Sequence, residues 1–423
     1  MSPLKSFDRY CELKKELSLE IEGFDYSILL STDLIKLTYR MYDNDYFSLK
    51  KIVRQLFKIP NLKEIKKAFL LKNSLITVSA NRSDYNELIN EIRTFVNDSD
   101  FIPLYKIADR LYYNFNLLIT FKVFFYFLFS YSKEFNIKER VYLASRALFY
   151  RNVLKSLSEL FLDFDTTDKK YIAFNSSFDN ECLLTEFFNS IGIKTYQLSH
   201  GLSYIDYKLF KPFDCITAEN IRAKTVLVWG ESSKKDLILN YSFSDLRIIV
   251  AGNPKYSLKK ITVKQTFKCC AVFLARDIYQ DGNIMLINIL GKLAIDLGIE
   301  FHIKLHPLSN KEILSEAISV NRLAFIPIDY TIKEILEDNQ YDFAICYNTT
   351  VYFEAMYYGL IPFRFGYMEN ENFKGLDDIF VSQLELQNLM SLFQTKSHSE
   401  LNKSIETILV QNLGMGINNY HKI

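Results

Sequence analysis

Two α/β domains, each built on a parallel sheet, are what this sequence predicts, and three observations predict them. At 423 residues the chain exceeds the size at which one hydrophobic core stops growing. After about residue 170 short apolar runs alternate with helical segments of roughly 10 to 15 residues, the signature of βαβ units. Polar, glycine and histidine residues collect where those apolar runs end, which is where open α/β sheets bind ligands.

From about residue 34 to 165 the pattern is mostly helical, in mixed runs such as "YFSLKKIVRQLFK" and "ERVYLASRALFYRNVLKSLSELFLDF". Two strand-like pieces interrupt it, "YSILLST" (26–32) and "SLITVSA" (74–80). Then the alternation sets in. "YIAFNSS" reads as strand, "NECLLTEFFNSIG" as a helix stopped by Gly192, and "KTYQLSH" as strand. "AKTVLVWG", "LRIIVAG" and "KCCAVFLAR" follow as strands, with the helix "ESSKKDLILNY" after the first of them. "NIMLINILGKLAIDLG" is a helix closed by Gly298, "EFHIKLH" and "YDFAICY" are strands, and "TVYFEAMYYG" is a helix stopped by Gly359. The expected seam lies near 215–225. It divides residues 1–220, with a helical insertion, from residues 221–395, and leaves the last stretch, 396–423, free to pack on either.

Composition excludes several classes. Lys and Arg number 51 against 50 Asp and Glu, so no basic field points to nucleic acid. Six cysteines show neither CxxC pairing nor metal-ligand spacing and read as small buried hydrophobes in a reducing compartment. No histidine or carboxylate cluster has such spacing either, so neither metal nor cofactor is expected. The N-terminus lacks a basic-then-apolar export signal, so a cytoplasmic location is expected. "FNLLITFKVFFYFLFSYS" (115–132) falls short of the roughly 20 uninterrupted apolar residues of a spanning helix. It is expected to be a buried helix, with a helix lying on the inner face of the membrane as the alternative.

The chemistry-bearing residues stand at strand ends. In "FHIKLHPLSN" a strand runs into His306, and Pro307 stops it because proline cannot donate to the ladder. His306 can donate to a phosphate oxygen, and Lys304, two residues earlier on the same face, can add charge. In "YDFAICYNTTVYFEAMYYG" the turn Asn348, Thr349, Thr350 offers hydroxyls and backbone N–H groups to an anion. Glu354, one turn later, suits the two hydroxyls of a ribose. Arg276 closes "AVFLAR" and can neutralise a leaving phosphate, while Gly252 and Asn253 make a turn near the nucleotide or at a hinge. On the facing half, Asn175, Ser176, Ser177 and Asp179 stand between a strand and a helix, and "YQLSHGLSY" ends the next strand with Ser199, His200 and Gly201. A carboxylate or an imidazole at such an edge can take the proton of an attacking hydroxyl, which makes Asp179 and His200 alternative general bases.

Lys304-Leu305-His306-Pro307, followed by Asn348-Thr349-Thr350, Glu354-Ala355, Gly359 and Pro362, resembles the donor half of GT-B-fold glycosyltransferases. The His-Pro pair is similar to that of bacterial sialyl- and polysialyltransferases and of the CDP-glycerol transferases of teichoic-acid synthesis. Capsule and lipopolysaccharide Kdo transferases are relatives in style. The resemblance covers roughly residues 170–370. Gln197-x-x-His200-Gly201 resembles their acceptor-side Gln-His-Gly, with two residues inserted. It implies two Rossmann-like domains facing across a cleft. His306, Thr349 and Thr350 would lie on the nucleotide phosphate, and no bound metal would be needed. The implied activity is an inverting transfer from a nucleotide sugar, CMP-linked sialic acid or Kdo first, to a bacterial surface polysaccharide, lipopolysaccharide or lipid-linked glycan. The alternatives are a UDP-hexose donor, a CDP-linked polyol phosphate, a sugar epimerase, or a non-catalytic nucleotide-binding protein.

Overall fold

The computed structural model describes residues 3–41, 47–48, 52, 56–112, 114, 116–132, 134–199, 201–202, 212–240, 246–307, 309–367 and 375–423. The chain divides into two compact units. The first comprises Met1–Val228, Lys234–Lys255 and Asn418–Ile423, and the second Trp229–Ser233 and Tyr256–Ile417.

The sheet of the first unit has six strands: β1 (Ser74–Val78), β2 (Ser99–Pro103), β3 (Lys170–Ala173), β4 (Lys194–Leu198), β5 (Thr225–Val228) and β6 (Arg247–Val250). They lie in the order β6-β5-β4-β3-β1-β2, every pair parallel. β1 is buried at all five positions and β5 at all four, as expected of strands covered on both faces. Helices α1 (Ser31–Thr38), α2 (Leu117–Phe125), α3 (Ile137–Leu160) and α4 (Asp179–Ser190) belong to this unit. α3, 24 residues long, starts at a reciprocal cap in which Asn136 accepts from the Glu139 N–H and Glu139 accepts from the Asn136 N–H.

Two local expectations fail here. "YSILLST" is helical, not extended. The Asp25 carboxylate accepts from the Ser27 N–H at 2.8 Å and starts a turn over Tyr26–Leu29. α1 then buries Leu34, Ile35 and Leu37, so tertiary burial overrides the strand-like composition. β2 lies in a stretch that reads as helical; its partner β1 draws it into the sheet, in register from Ser74↔Ser99 to Val78↔Pro103.

The second unit carries β7 (Cys269–Phe273), β8 (Glu300–Lys304), β9 (Ala324–Phe325), β10 (Phe343–Cys346), β11 (Ile361–Phe365) and β12 (Ile379–Phe380), in the order β9-β8-β7-β10-β11-β12, all parallel. Numbered within the unit this is 3-2-1-4-5-6, the doubly wound order of Rossmann-like domains. The expected fold class is therefore what the two units contain. Helices α5 (Gln280–Leu297), α6 (Val351–Tyr357) and α7 (His398–Leu413) belong to the unit, and Gly298 ends α5 in the left-handed conformation, φ 65°.

One buried ion pair ties the far edge of this sheet together. The Arg364 guanidinium, on β11, donates to both oxygens of Asp378, whose side chain is fully buried. The Tyr352 hydroxyl and the Leu376 N–H, each 2.9 Å from Asp378 Oδ1, complete the carboxylate's partners. Asp378→Ala strips the guanidinium of this carboxylate in the interior. We expect a loss of about 3–5 kcal/mol in denaturant unfolding; a loss under about 1 kcal/mol would mean that the pair does not hold the edge.

Candidate functional site

In the second unit the strand order reverses between β7 and β10, so the loops leaving those two strands part around a notch at the carboxyl edge. Both loops are built rigidly. After β7 the Asn283 side chain, fully buried, accepts from the Ala275 N–H and donates to the Ala275 carbonyl, each at 2.9 Å. It thereby acts as a short extra strand. After β10 the Tyr347 ring fills the space beside Gly282, where a Cβ would stand 2.1 Å from its hydroxyl. That hydroxyl donates to the Tyr367 carbonyl at 3.0 Å.

Of the expected donor-side residues, Arg276 and Asn348–Thr350 stand on the two loops beside this notch, Glu354 on α6 and His306 beyond β8. Arg276, half-buried, follows β7, and its carbonyl accepts from the Tyr279 N–H. Asn348, immediately after Tyr347, has φ 45°, a left-handed conformation that asparagine adopts more readily than other non-glycine residues. Thr349 Oγ1 accepts from the Val351 N–H at 3.3 Å, whereas Thr350 makes no side-chain cap. Glu354, half-buried on α6, is hydrogen-bonded to the phenol of Tyr256; burial first, and this carboxylate second, raise that phenol well above its ordinary pKa. His306 is half-buried and Pro307 exposed beyond the end of β8, where the Ser309 N–H and hydroxyl both bond the His306 carbonyl.

Lys304 is committed elsewhere. Its ammonium donates to the carbonyls of Pro327, Ile328 and Tyr330 at 2.7, 2.9 and 2.8 Å, which uses its three donors to hold that turn. Gly252 and Asn253 belong to the first unit, whereas His306 belongs to the second. Gly252 has φ 85° and its carbonyl accepts from the Tyr420 hydroxyl, while Asn253 Oδ1 accepts from the Lys255 N–H.

The first unit reverses its strand order between β1 and β3, and the loop after β3 carries the expected acceptor-side group. Most of that group is structural. Ser176, fully buried, bonds Gln197 Oε1 through its hydroxyl and accepts from the Arg222 and Ala223 N–H groups at 3.1 Å. Ser177 donates to the Thr217 carbonyl, and Asn175 donates to Thr217 Oγ1. Ser199 is half-buried and its N–H bonds the Leu227 carbonyl. At Gly201 an added Cβ would meet no described atom within 4 Å. His200 lies outside the described residues.

Asp179 differs from its neighbours. It has φ 34°, its N–H donates to Thr32 Oγ1, and its partly exposed carboxylate lies 3.9 Å from the Lys36 ammonium and 3.8 Å from the Arg146 guanidinium. Arg146 is itself locked from behind by Asp33, which is almost fully buried and also accepts from the Tyr142 and Tyr150 hydroxyls. Burial works against the Arg146 charge, and Asp33, Tyr150, Tyr142 and Asp179 together more than offset it, so the guanidinium pKa stands above its ordinary value.

Reasoning from sequence alone missed Asn283, Asp33, Arg146 and Glu181. The first three gave no signal, being ordinary polar residues within helical runs. Glu181, in the loop-facing first turn of α4, is 1% exposed: Oε2 accepts from the Asn175 N–H at 2.8 Å, and Oε1 has no partner at bonding distance. A charged residue three positions after Phe178 was readable as a capping carboxylate, but not as a buried one.

No known protein family and no curated protein matches this chain as a sequence. Similar solved structures include a UDP-bound S. aureus MnaA, 10% identical over 83% of this chain and 94% of that one, with a TM-score of 0.48. The UDP-GlcNAc 2-epimerase of Neisseria meningitidis bound to UDP-GlcNAc is 13% identical over 82% and 97%, with a TM-score of 0.47. A point mutant of S. aureus TarM, in complex with fondaparinux, alpha-GlcNAc-glycerol and UDP, is 14% identical over 63% of this chain, with a TM-score of 0.42. The chain spans 56% of the length of that TarM. At these scores the likeness assigns no activity to the chain.

Glu181 carries a pH signature. Burial pushes its carboxyl up to about 8 against the pull of the Asn175, Phe174 and Ser79 backbone. Since the folded pKa exceeds the unfolded one, stability is fully present below about pH 4.5 and falls as pH rises toward 8, by at most about 1.4 kcal/mol per pH unit. Glu181→Gln removes the ionisable group. Its melting temperature relative to wild type should therefore climb between pH 5 and pH 8; parallel pH profiles would show that Glu181 does not titrate with folding.

Proposed function

We propose that the chain is a glycosyltransferase that takes a sugar from a nucleotide donor held by the second unit. The observation that carries this is the 3-2-1-4-5-6 sheet, whose reversal point gathers Arg276 and the left-handed Asn348 turn on adjacent loops. In this reading His306, Arg276, Thr349 and Thr350 meet the phosphates, and Glu354, steadied by Tyr256, meets the ribose. Lys304 takes no part, because its donors are already used.

Asp179 is the proposed base. As the acceptor oxygen bonds the anomeric carbon, the bond from that carbon to the nucleotide breaks and the acceptor proton passes to Asp179, inverting the centre. Lys36 and Arg146 both face this half-open carboxylate, and an arrangement with two cations around one carboxylate favours a catalyst over a mere binding module. His200 is the alternative base. We propose that the transfer itself is metal-independent, with charge on the leaving group met by Arg276 and His306. No described residue of the second unit singles out cytosine over uracil. The donor is put to the test with UDP-hexose ahead of the CMP-linked acid, in the order suggested by the nucleotides bound in the similar structures. The proposed acceptor is a bacterial surface polysaccharide, lipopolysaccharide or lipid-linked glycan.

A lipid-linked acceptor fits one surface of the first unit, and we propose that this surface rests on the membrane. α2 continues into a wider turn over Tyr126–Ser130. Val123 and Phe127 are buried in the core, but Leu118, Phe121 and Phe129 are 81%, 66% and 71% exposed, and Leu117 and Phe125 are more than half exposed. Of the described residues of the expected buried helix, only Val123, Phe127 and Tyr131 are therefore buried. Residues 110–133 contain no acidic side chain while Arg110, Lys122 and Lys133 are basic, which suits a phosphate-bearing bilayer. A second copy packed symmetrically would instead bring Lys122 toward Lys122. No described helix is long and apolar enough to cross a membrane.

Two experiments test these readings. In thermal-shift titrations of UDP, CMP, CDP and GDP, one pyrimidine nucleotide should raise the melting temperature, and His306→Ala should shrink the shift. If no nucleotide stabilises the wild type, the transferase reading falls. Asp179→Asn should keep the nucleotide shift and lower turnover by on the order of 10² to 10⁴; unimpaired turnover would pass the role to His200. For the membrane, wild-type protein should co-sediment with anionic vesicles and the Phe121→Ser/Phe125→Ser/Phe129→Ser variant should remain in solution. Wild type left in the supernatant with both anionic and zwitterionic vesicles would overturn the contact.

A further inference from the structure

The amino edge of the second sheet, opposite the notch, brings three potential metal ligands together. Cys269 opens β7 and Glu300 opens β8, and the two are partners in the parallel register. Side chains two apart share a face of a strand, so His302 stands beside Glu300. One ligand atom of each of Cys269, Glu300 and His302 lies within 4.8 Å of the others, and His302 Nε2 is 3.8 Å from Glu300 Oε2. Cys269 stands more than thirty positions from Glu300 in sequence, so no spacing rule finds the group.

The surroundings are those of a metal ligand set. The Tyr341 hydroxyl lies 3.3 Å from His302 Nδ1, and its ring meets the imidazole edge-on at 5.5 Å. A partner on one ring nitrogen orients the imidazole and leaves the other, Nε2, aimed at the cluster. Cys269 is held by its backbone: its carbonyl accepts from the Asp342 N–H at 2.9 Å, and its N–H donates to Asp342 Oδ2 at 3.1 Å. Glu300 is exposed and free to swing, whereas Cys270, the next residue after Cys269, points into the core.

We propose that Cys269, Glu300 and His302 form a binding site for a divalent transition metal ion, Zn²⁺ by the chemistry of its ligands. Thiolate, imidazole and carboxylate together select a borderline-soft cation over Mg²⁺ or Ca²⁺. Bonds of about 2.0–2.3 Å require the ligand atoms to close to roughly 3.3–3.8 Å, a movement that rotation of the Glu300 side chain and the Cys269 thiol supplies. Three protein ligands leave a fourth position for water. The metal takes Cys269 as the thiolate, so its binding releases the thiol proton. The ion would clip β7 to β8 at the edge away from the nucleotide. The site is independent of the transferase reading, and neither stands or falls with the other.

Cobalt is the probe. The full chain, stripped with a chelator, is titrated with Co²⁺ and followed by absorption. One equivalent should produce a thiolate-to-cobalt charge-transfer band in the near ultraviolet that Zn²⁺ abolishes, and Zn²⁺ should raise the melting temperature. Cys269→Ser and His302→Ala should lose the band, and Cys346→Ser should keep it. Absence of the band in wild type, or its survival in Cys269→Ser, would overturn the proposal. The wild-type titration decides the matter even if a variant fails to fold.

Discussion

Every strand of the two six-stranded sheets runs parallel to its neighbours, and a parallel pair cannot be joined by a tight turn. Each connection must cross the sheet, and the crossing segments cover its faces. That constraint explains the rest. Strands covered on both faces must be apolar throughout, so polar chemistry is driven out of the sheet to its ends. Where the crossings change side, two successive loops diverge and leave backbone and side chains open to a ligand. At each reversal point a non-glycine residue stands in the left-handed region, as at seven other described positions of the chain: Asp179 after β3 and Asn348 after β10. Such conformations cost on the order of 1–3 kcal/mol and persist only where the surroundings enforce them.

What enforces them differs between the units. Behind Asn348 stands a neutral scaffold, the Asn283 clasp on Ala275 and the Tyr347 ring against Gly282. Behind Asp179 stands a charged one, in which buried Asp33 holds Arg146 and Arg146 faces Asp179. A neutral scaffold suits a place where an anion arrives with its own charge. The charged one sets two cations, Lys36 and Arg146, beside a half-open carboxylate.

The sequence was most legible where one physical signal dominated. Tyr171–Ala173, Cys269–Phe273 and Phe343–Cys346 are continuous apolar runs, and the helices after them end at glycines with positive φ, so both elements and boundaries could be read. Tyr26–Thr32 misled because Ser, Thr and Ile raise the strand preference, while the Asp25 cap and the burial of Leu34 and Leu37 in the helix that follows decide otherwise. β2 was hidden because an edge strand that is only half-buried carries no strong pattern. At the site, strand ends pointed to Arg276, His306 and Asn348, but chemistry alone could not separate Lys304, whose amine is spent on three carbonyls. The Asn283 clasp on Ala275 is a local contact of side chain with backbone that leaves no mark in the pattern, and the group Cys269, Glu300 and His302 depends on register between strands, which no single stretch of sequence contains.

The first unit is not contiguous in the chain. After the second unit ends at Ile417, the chain returns: Asn419 bonds the Val250 and Ala251 carbonyls, and the buried Tyr420 hydroxyl bonds Gly252. These residues are the last of the unit to leave the ribosome, after all of the second unit has been made. During synthesis the edge strand β6 therefore waits with the carbonyls at its end unpaired. The first unit can acquire its sheet early, but it reaches its final stability only when translation of the other is over.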